Sequence, residues 1–460
     1  MQFTLTLTEL IFQQVIEHLV AQGPNEAAGY LFVRVSRTPD ETRLIGREYW
    51  PISNDELNER SPVALSIKST SYTRALRHAH ETRQAFWLVH SHPQGFESFS
   101  TADDETEAKL FPCAYVRIRP DVGPHGSLVF PTNGNPFGRV WLEDGSKQNL
   151  QRIRIIGRRF RFFSETKGDN SIPSFYDRQV RAFGPDVQKL LRDLHIGVVG
   201  CGGTGSAVCE QLIRLGIGRL TVFDGKTFAK SNVNRMYGSR VTDEGVPKVQ
   251  LMERLAKDIG VGTEIQGYSE VVHHQSAAEK LREAEILFGC TDDELGRSIL
   301  NQVSLRYAIP LFDMGVKIGS ENGAIQWVIG RVTVVQPGNA CLLCRGRITA
   351  KRIAAEALHL VDPKAAEGLR GEGYAPELEG DAPAVVTFTS STAATAVAEM
   401  LHRLTGFMGV DRTVTEVLHF FDDDRIGKNS TPPSTDCICS SPQVICGGDT
   451  NPFLGLMWTM

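Results

Sequence analysis

The chain has 460 residues, which at roughly 150 residues per domain suggests about three domains. Its 49 basic and 54 acidic residues give a net charge of -5, so there is no global positive field for gripping a nucleic-acid backbone. With 41% hydrophobic and 22% charged residues, the chain can bury real cores, which excludes wholesale disorder. No Lys or Arg precedes Arg34, and no apolar run approaches the roughly 18 residues of a membrane helix. We therefore expect a cytoplasmic protein with no membrane partner.

The first 165 residues predict an α+β domain. Thr8 is suited to cap a helix over 9–20, which follows a strand of alternating apolar residues. Another helix is expected around 72–82, and a third begins with Asp103. The further predicted strands cover residues 29–35, 43–49, 85–93, 114–120, 126–131 and 139–145.

Residues 151–163 carry five arginines interleaved with apolar residues. The pattern fits a nucleic-acid-binding strip or an exposed strand whose alternate face packs inward, and we favour the strand. No nucleic-acid partner is therefore expected. The polar segment that follows, with Gly and Pro, predicts a linker over 166–174.

From Leu190 the rhythm changes to alternating strands and helices, which predicts a parallel sheet flanked by helices. This second domain is expected to cover 175–426. The last residues, 427–460, are rich in Ser, Pro and Cys and predict a loop-like tail. The expected fold class is α/β, with an α+β domain followed by a Rossmann-like parallel-sheet domain.

A histidine pair ends the predicted strand over 85–93. His90 and His92 are two residues apart, so both side chains project from one face and can converge on a metal ion. Asp103 can supply a third ligand, which leaves one position of a zinc ion open for water. A carboxylate that is not a ligand can act as general base, and Glu26 is the candidate. Ser100 can donate a hydrogen bond to a developing oxyanion.

These residues, in the pattern E…HSHPxG…SxxD, resemble the signature of the JAB/MPN (JAMM) zinc metalloproteases. Members of that family cut isopeptide bonds or trim the tails of ubiquitin-like proteins. The resemblance implies that His90, His92 and Asp103 bind catalytic zinc. It implies that Glu26 is the base, that Ser100 steadies the transition state and that residues 1–165 form a JAB/MPN domain.

A glycine-rich turn follows one predicted strand of the second domain and opens a helix. Its glycines let the backbone approach a phosphate, and the N-terminus of the helix favours negative charge. They are Gly200, Gly202, Gly203 and Gly205. Asp224 ends the next strand, near where an acidic residue meets ribose hydroxyls. These residues alone indicate only a nucleotide, and a nicotinamide dehydrogenase is the default interpretation.

Two cations follow Asp224. Arg235 lies eleven residues beyond it and Lys248 a further thirteen. A dinucleotide held by a helix N-terminus does not need two further cations, whereas a triphosphate does. Asp292 can hold magnesium between phosphates. The spacing therefore favours Mg·ATP.

The stretch from YDRQVRAFG through the glycine turn, SNVNR and DEGVPK, with CTDD and the segment 382–406, resembles the ThiF-type adenylyltransferases. That superfamily contains ubiquitin-activating enzymes and bacterial activators of sulfur-carrier proteins. The resemblance implies that Asp224 binds ribose and that Asp292 binds magnesium. It assigns Arg235 and Lys248 to the phosphates.

The same resemblance has two further implications, and the sequence departs from the family pattern at one position. Asn232, in SNVNR, belongs with the nucleotide-binding residues. Arg178 reaches into the active site of a partner subunit, which implies a homodimer. Lys226 is a departure, because many relatives carry an acidic residue at that position.

Five cysteines lie in the last third of the chain. In a reducing cytosol, the pairs Cys341/Cys344 and Cys437/Cys439 are more typical of a closed structural zinc site than of disulfides. The second pair is more closely spaced than in ThiF-type relatives, so Cys446 is an alternative ligand. If it is not a ligand, Cys446 is the leftover candidate for a cysteine that accepts the activated acyl group as a thioester.

Both resemblances imply the C-terminal tail of a small ubiquitin-like protein as substrate. We expect a bifunctional enzyme that processes this tail with zinc and activates it with ATP and Mg²⁺. The setting would be a bacterial-type ubiquitin-like conjugation pathway, some of which act in antiviral defence, with a ubiquitin-conjugating-like enzyme as a further partner. The first alternative is activation of a sulfur-carrier protein for thiamine, molybdopterin or cysteine biosynthesis. An NAD-dependent dehydrogenase and a non-catalytic scaffold are the others.

Overall fold

A computed structural model describes residues 1–21, 23–164, 171–371 and 383–458. The chain divides into two compact units, Met1–Gly168 with Cys446–Thr450, and Asp169–Ile445 with Asn451–Met460. Part of the predicted C-terminal tail therefore belongs to the first unit. In the predicted linker, residues 166–170 lie outside the described residues. No helix within the described ranges is long and apolar enough to cross a membrane.

The first unit is an α+β structure built on one mixed sheet. Its elements are β1 (Gln2–Thr8), α1 (Glu9–Ala21), β2 (Ala28–Arg37), β3 (Glu41–Pro51), β4 (Leu57–Ser61), β5 (Ala64–Ile67), α2 (Ser69–Thr82), β6 (Ala85–His92), α3 (Thr101–Arg117), β7 (His125–Pro131), β8 (Phe137–Trp141), β9 (Lys147–Asn149), β10 (Arg152–Ile156) and β11 (Arg161–Ser164). Among the described residues, nine strands form this sheet, in the order β11-β10-β1-β3-β2-β6-β7-β8-β9.

Strand β6 lies in the interior of this sheet and positions the histidine pair. It pairs antiparallel with β2 and parallel with β7, and all eight of its residues are buried. A strand covered on both faces is a near-continuous apolar run, as Phe86–Val89 are. His90 and His92 are therefore held at the end of a rigid central element.

One strand prediction in this unit is wrong. Residues 114–117 of the segment expected as a strand over 114–120 continue α3 instead. Leu110, Phe111 and Ala114 are the buried apolar residues of this helix. Packing of these residues outweighs the strand preference of Val116 and Ile118.

The arginine-rich segment forms β10 and β11, as the favoured interpretation expects. Ile153 and Ile155 of β10 are buried. Arg154 is also buried, and it donates to Thr4 Oγ1 at 2.7 Å and pairs with Glu41 at 3.0 Å. At least this arginine has a structural role.

The second unit begins with two short helices and continues as an α/β structure. Its elements are α4 (Asp177–Phe183), α5 (Pro185–Asp193), β12 (His195–Val199), α6 (Gly203–Leu215), β13 (Arg219–Phe223), α7 (Lys248–Ile259), β14 (Glu264–Tyr268), α8 (Gln275–Lys280), β15 (Ile286–Gly289), α9 (Glu294–Tyr307), β16 (Leu311–Glu321), β17 (Ala324–Val335), α10 (Ala350–Val361), α11 (Pro363–Gly371), α12 (Val386–Thr405), β18 (Glu416–Phe420) and β19 (Arg425–Asn429).

The sheet of this unit has the order β14-β13-β12-β15-β16-β17-β18-β19 within the described part of the chain. Strands β12 to β16 pair in parallel, and β17 to β19 add an antiparallel extension. The predicted α/β fold class is confirmed. The carboxyl ends of parallel strands are where open α/β sheets bind ligands, and the predicted nucleotide residues follow those ends.

Candidate active sites

The two histidines and Asp103 come together at the end of β6. Nε2 of His90 lies 3.3 Å from Nε2 of His92, and the two nitrogens lie 3.1 and 3.4 Å from the carboxylate oxygens of Asp103. The imidazoles are buried, with 4% of each residue exposed. Two histidines of one strand and a carboxylate of the next helix thus form one cluster.

The spacing of the two imidazole nitrogens and the carboxylate oxygens fits a tetrahedral zinc ion. Ligand atoms about 2.0–2.1 Å from zinc are about 3.3 Å apart in such a geometry, close to the separations in the cluster. Nδ1 of His92 donates to the carbonyl of Phe96 at 2.9 Å, which leaves Nε2 with a lone pair for the metal. The residues therefore fit a catalytic zinc site with an open position.

Glu26 lies two residues before β2 and faces the cluster. Ala28 of β2 pairs with His90, and the N–H of Ser91 donates to the carbonyl of Ala27 at 2.9 Å, which brings the adjacent Glu26 next to the cluster. Burial raises the pKa of Glu26, while the two histidines oppose that shift and Asp103 adds to it. A half-buried carboxylate with a raised pKa is suited to accept and return a proton.

Ser100 caps α3 through a reciprocal capping box with Asp103. Its Oγ accepts from the N–H of Asp103 at 3.1 Å, and its hydroxyl and N–H donate to Asp103 Oδ2 at 2.8 and 2.7 Å. Burial raises the pKa of Asp103, but the adjacent imidazoles of His90 and His92 and the N–H of Ser100 outweigh it and hold the pKa well below its usual range. The sequence pattern placed Ser100 near the reaction but did not reveal that it orients the third ligand.

The glycine turn of the second unit has close backbone contacts. Gly200 has φ +92°, and a Cβ there would lie 2.7 Å from the carbonyl oxygen of Cys290. A Cβ on Gly205 would overlap the carbonyl oxygen of Gly200, whereas one on Gly202 would meet open space. Gly202 caps α6 without a side chain, and the helix begins at Gly203. The N–H groups at the start of this helix, beside open space, suit the predicted phosphate.

Asp224 lies beside this turn and organises the backbone around it. Its two carboxylate oxygens accept from the N–H of Cys201 at 2.7 Å and of Lys226 at 2.8 Å. The carbonyl of Lys226 accepts from the N–H of Lys248, whose buried side chain begins α7. The predicted ribose and phosphate residues are thereby linked through their backbones.

Arg235 lies against the same turn, and Asn232 has a local role. A Cβ on Gly203 would touch the side chain of Arg235 at 3.4 Å, and Arg235 donates to the carbonyl of Ser231 at 2.6 Å. The side-chain oxygen of Asn232 accepts from the N–H of Ala229 at 3.2 Å, closing a short 3₁₀ turn.

Asp292 is an exposed carboxylate after β15, and a lysine pairs with it. Nζ of Lys226 lies 3.6 Å from Asp292 Oδ2, with 68% and 87% of the two side chains exposed. An accessible carboxylate beside a phosphate site suits Mg²⁺, which is usually held by one or two carboxylates and substrate phosphates. Arg178 is exposed on α4, and it precedes all of these predicted nucleotide-binding residues in the sequence.

The four paired cysteines form a second cluster in this unit. Cys341 Sγ lies 3.4 Å from Cys437 Sγ, and Cys344 Sγ lies 3.3 Å from Cys439 Sγ, with all four sulfurs within 4.8 Å of one another. Burial raises the pKa of Cys344, but the N–H of Ser434 and the neighbouring thiols outweigh it and lower the pKa to about 7. Four convergent sulfurs fit a structural zinc ion.

Cys446 lies outside this cluster. It belongs to the first unit with residues 447–450, only 2% of it is exposed, and burial raises the pKa of its thiol to about 12. A thioester-forming cysteine needs an accessible thiolate. The structure therefore supports neither of the two roles considered for Cys446.

A parallel sheet whose strand leads through a glycine turn into a helix defines the Rossmann-like class of folds. The sequence model of the ThiF family matches residues 176–437, more than half of the chain. The chain therefore belongs to the ThiF family. The model for prokaryotic homologs of the JAB domain matches residues 8–128, within the first unit. The predicted fusion of these two families is confirmed.

Curated relatives are similar to a part of this chain. The chain is 29% identical to the molybdopterin-synthase adenylyltransferase of Escherichia coli (strain K12), over 38% of this chain and 68% of that enzyme. It is 29% identical to the sulfur carrier protein ThiS adenylyltransferase of Bacillus subtilis (strain 168), over 37% of this chain and 49% of the enzyme. Ubiquitin-like modifier-activating enzyme 5 of Branchiostoma floridae is 28% identical, over 35% and 40%. The chain spans about half or less of the last two relatives.

Solved structures also resemble this chain. The crystal structure of E. coli MccB with ATP is 17% identical, with a TM-score of 0.45, over 59% of this chain and 75% of the MccB chain.

Proposed function

We propose that this protein processes and then activates the C-terminal tail of a small ubiquitin-like protein. The observation that carries the proposal is the cluster of His90, His92 and Asp103, with Glu26 beside it, in a chain that belongs to the ThiF family. One unit then exposes a terminal carboxylate, and the other consumes it. The similarity to the molybdopterin-synthase adenylyltransferase and the sulfur carrier protein ThiS adenylyltransferase supports adenylation as this second step.

In the first unit, peptide or isopeptide hydrolysis is the proposed reaction. His90, His92 and Asp103 hold zinc, which supplies Lewis acidity to the scissile carbonyl and to water. Glu26 takes the proton of the attacking water and returns it to the leaving amine. The Ser100 hydroxyl, which donates to Asp103 in the structure, turns to donate to the oxyanion.

In the second unit, the tail carboxylate attacks the α-phosphate of ATP. An O–P bond forms as the bond to pyrophosphate breaks, giving an acyl-adenylate. Asp224 binds the ribose, Arg235 and Lys248 neutralise the phosphates, and Asp292 holds Mg²⁺. The reaction needs positioning and charge neutralisation more than a protein nucleophile.

The proposed setting is a bacterial-type conjugation pathway, including those of antiviral defence, because a protease that reverses linkage is most useful there. Sulfur-carrier activation is the second candidate, and the similarity to molybdopterin-synthase and ThiS adenylyltransferases favours it. The four closely spaced thiols suit a reducing compartment, so we place the protein in the cytoplasm.

Two structural features belong to the same proposal. Cys341, Cys344, Cys437 and Cys439 bind a structural zinc ion. The exposed Arg178 of α4 contributes to the active site of a second copy in a homodimer. Arg178→Ala is therefore expected to lower ATP–pyrophosphate exchange. It should not weaken Mg·ATP binding to the isolated subunit.

The experiment mixes purified protein with candidate β-grasp proteins and Mg·ATP and measures ATP–pyrophosphate exchange. Exchange should require a free C-terminal glycine on the carrier. Bound nicotinamide without exchange would instead identify a dehydrogenase, and binding of neither zinc nor ATP would identify a scaffold.

A further inference from the structure

Arg139 of β8 contacts three residues that lie close in sequence to the metal ligand Asp103. Its Nη1 lies 2.6 Å from Asp104, its Nε donates to Glu107 at 2.8 Å, and its guanidinium lies 3.7 Å over the ring of Phe99. Only 8% of the Arg139 side chain and 1% of the Glu107 side chain are exposed. This arginine is therefore an ordered, buried element.

These contacts lie on both sides of the capping box. Phe99 immediately precedes Ser100, and Asp104 immediately follows Asp103. One guanidinium thus holds the residue before the cap and the residue after the third ligand. A shift of Arg139 moves both ends of the segment that carries Ser100 and Asp103.

An aromatic contact connects the same segment to a histidine. Phe137 and Arg139 are two residues apart on β8 and share a face. The ring of Phe137 packs edge-on against Phe99, with centroids 5.2 Å apart, and against His92, with centroids 6.1 Å apart. Phe99 is therefore held between the guanidinium of Arg139 and the ring of Phe137, and Phe137 also contacts His92 of the metal cluster.

We propose that Arg139 is a positioning residue that fixes Asp103 and Ser100 relative to the two histidines. The inference rests on the proposed zinc site. Arg139 contacts Phe99 and Asp104 rather than the three metal ligands, and it acts through these two residues. A lysine keeps the charge but loses the planar fork and the stacking on Phe99.

The test compares Arg139→Lys with wild type in the full chain, with Co²⁺ as the metal probe. Spectra of His92→Ala, loaded in the same way, are subtracted to remove the contribution of the four cysteines. Arg139→Lys should shift the visible bands of the histidine site and weaken its metal affinity about 10- to 100-fold, as is typical when a partner outside the ligand set is lost. Chelator competition measures the affinity without any substrate.

Arg43→Lys is the matched control. Arg43 is likewise buried, with 3% of its side chain exposed, and pairs with Glu41 at 2.9 Å in the same unit. A general loss of stability affects both variants, whereas only Arg139→Lys should change the cobalt spectrum. If both variants keep wild-type spectra and affinities, Arg139 has no positioning role.

Phe99→Leu removes the ring that lies between Arg139 and Phe137, and it is the variant to use if Arg139→Lys does not fold. It should lower metal affinity in the same direction, and a wild-type affinity would overturn the proposal. Failure of the wild-type protein to bind Co²⁺ at the histidines overturns the proposed protease as well. Normal wild-type binding with unchanged variants overturns this inference alone.

Discussion

His92 and His125 lie on neighbouring parallel strands of the first unit, yet their surroundings shift their pKa values in opposite directions. Burial lowers the pKa of His92, but Asp103 and the carbonyl of Phe96 outweigh it and raise the pKa above its usual value. Burial alone lowers the pKa of His125 to about 4, and its Nδ1 accepts from the N–H of Phe86. Histidine is therefore a member of a polar cluster at position 92 and a neutral core residue at position 125.

His125 makes the stability of the first unit dependent on pH. The unfolded chain takes up a proton near pH 6.5 and the folded chain only near pH 4, so stability is lost as the pH falls between these values. The free energy of unfolding falls by about 3 kcal/mol over this range. In His125→Asn, urea unfolding at pH 7 and pH 4.5 should show a smaller difference than in wild type. Equal differences would show that His125 titrates normally in the fold.

The pair of Lys226 and Asp292 predicts a competition with Mg²⁺. An exposed ion pair contributes about 0.2–1 kcal/mol, so removing the ammonium should lower the Mg²⁺ concentration for half-maximal exchange about 1.4- to fivefold. Lys226→Met is compared with Lys189→Met, which removes a similar pair with Asp186 at 3.7 Å on α5. An unchanged Mg²⁺ dependence in Lys226→Met would contradict a magnesium role for Asp292.

At the scale of elements, turns and caps position both sites. The motif spacing predicted the glycine turn and the histidine strand, because those constraints are local. The continuation of α3 through residues 114–117 was missed, since it depends on packing against distant strands. The contact of Arg139 with Phe99 was missed for the same reason, because β8 and the loop before α3 meet only in the folded unit.

Two glycines of the turn should respond differently to alanine. A methyl group on Gly205 overlaps the Gly200 carbonyl, so Gly205→Ala should lower both the melting temperature and ATP affinity. A methyl group on Gly202 meets open space, so Gly202→Ala should keep the melting temperature but weaken ATP binding by filling the phosphate position. Calorimetry measures both quantities. Wild-type ATP affinity in Gly202→Ala would mean that no phosphate binds there.

At the scale of the whole molecule, length suggested about three domains, and the described chain forms two compact units. The motifs predicted the family of each unit, because the residues of each motif lie within a short stretch of sequence. The placement of Cys446–Thr450 in the first unit was not predicted, because no pattern marks it. The N–H of Asp449 donates to the carbonyl of Val35 at 2.8 Å, and its carboxylate accepts from the N–H of Arg37 at 2.7 Å.

The central claim is that one tail passes from hydrolysis to adenylation. The most direct measurement follows ATP–pyrophosphate exchange by Glu26→Gln with two forms of the carrier, one ending in glycine and one extended beyond it. The wild type should support exchange with both forms. Glu26→Gln should support exchange only with the form that ends in glycine. Equal exchange by Glu26→Gln with both forms, or with neither, would contradict two independent sites acting in sequence on one tail.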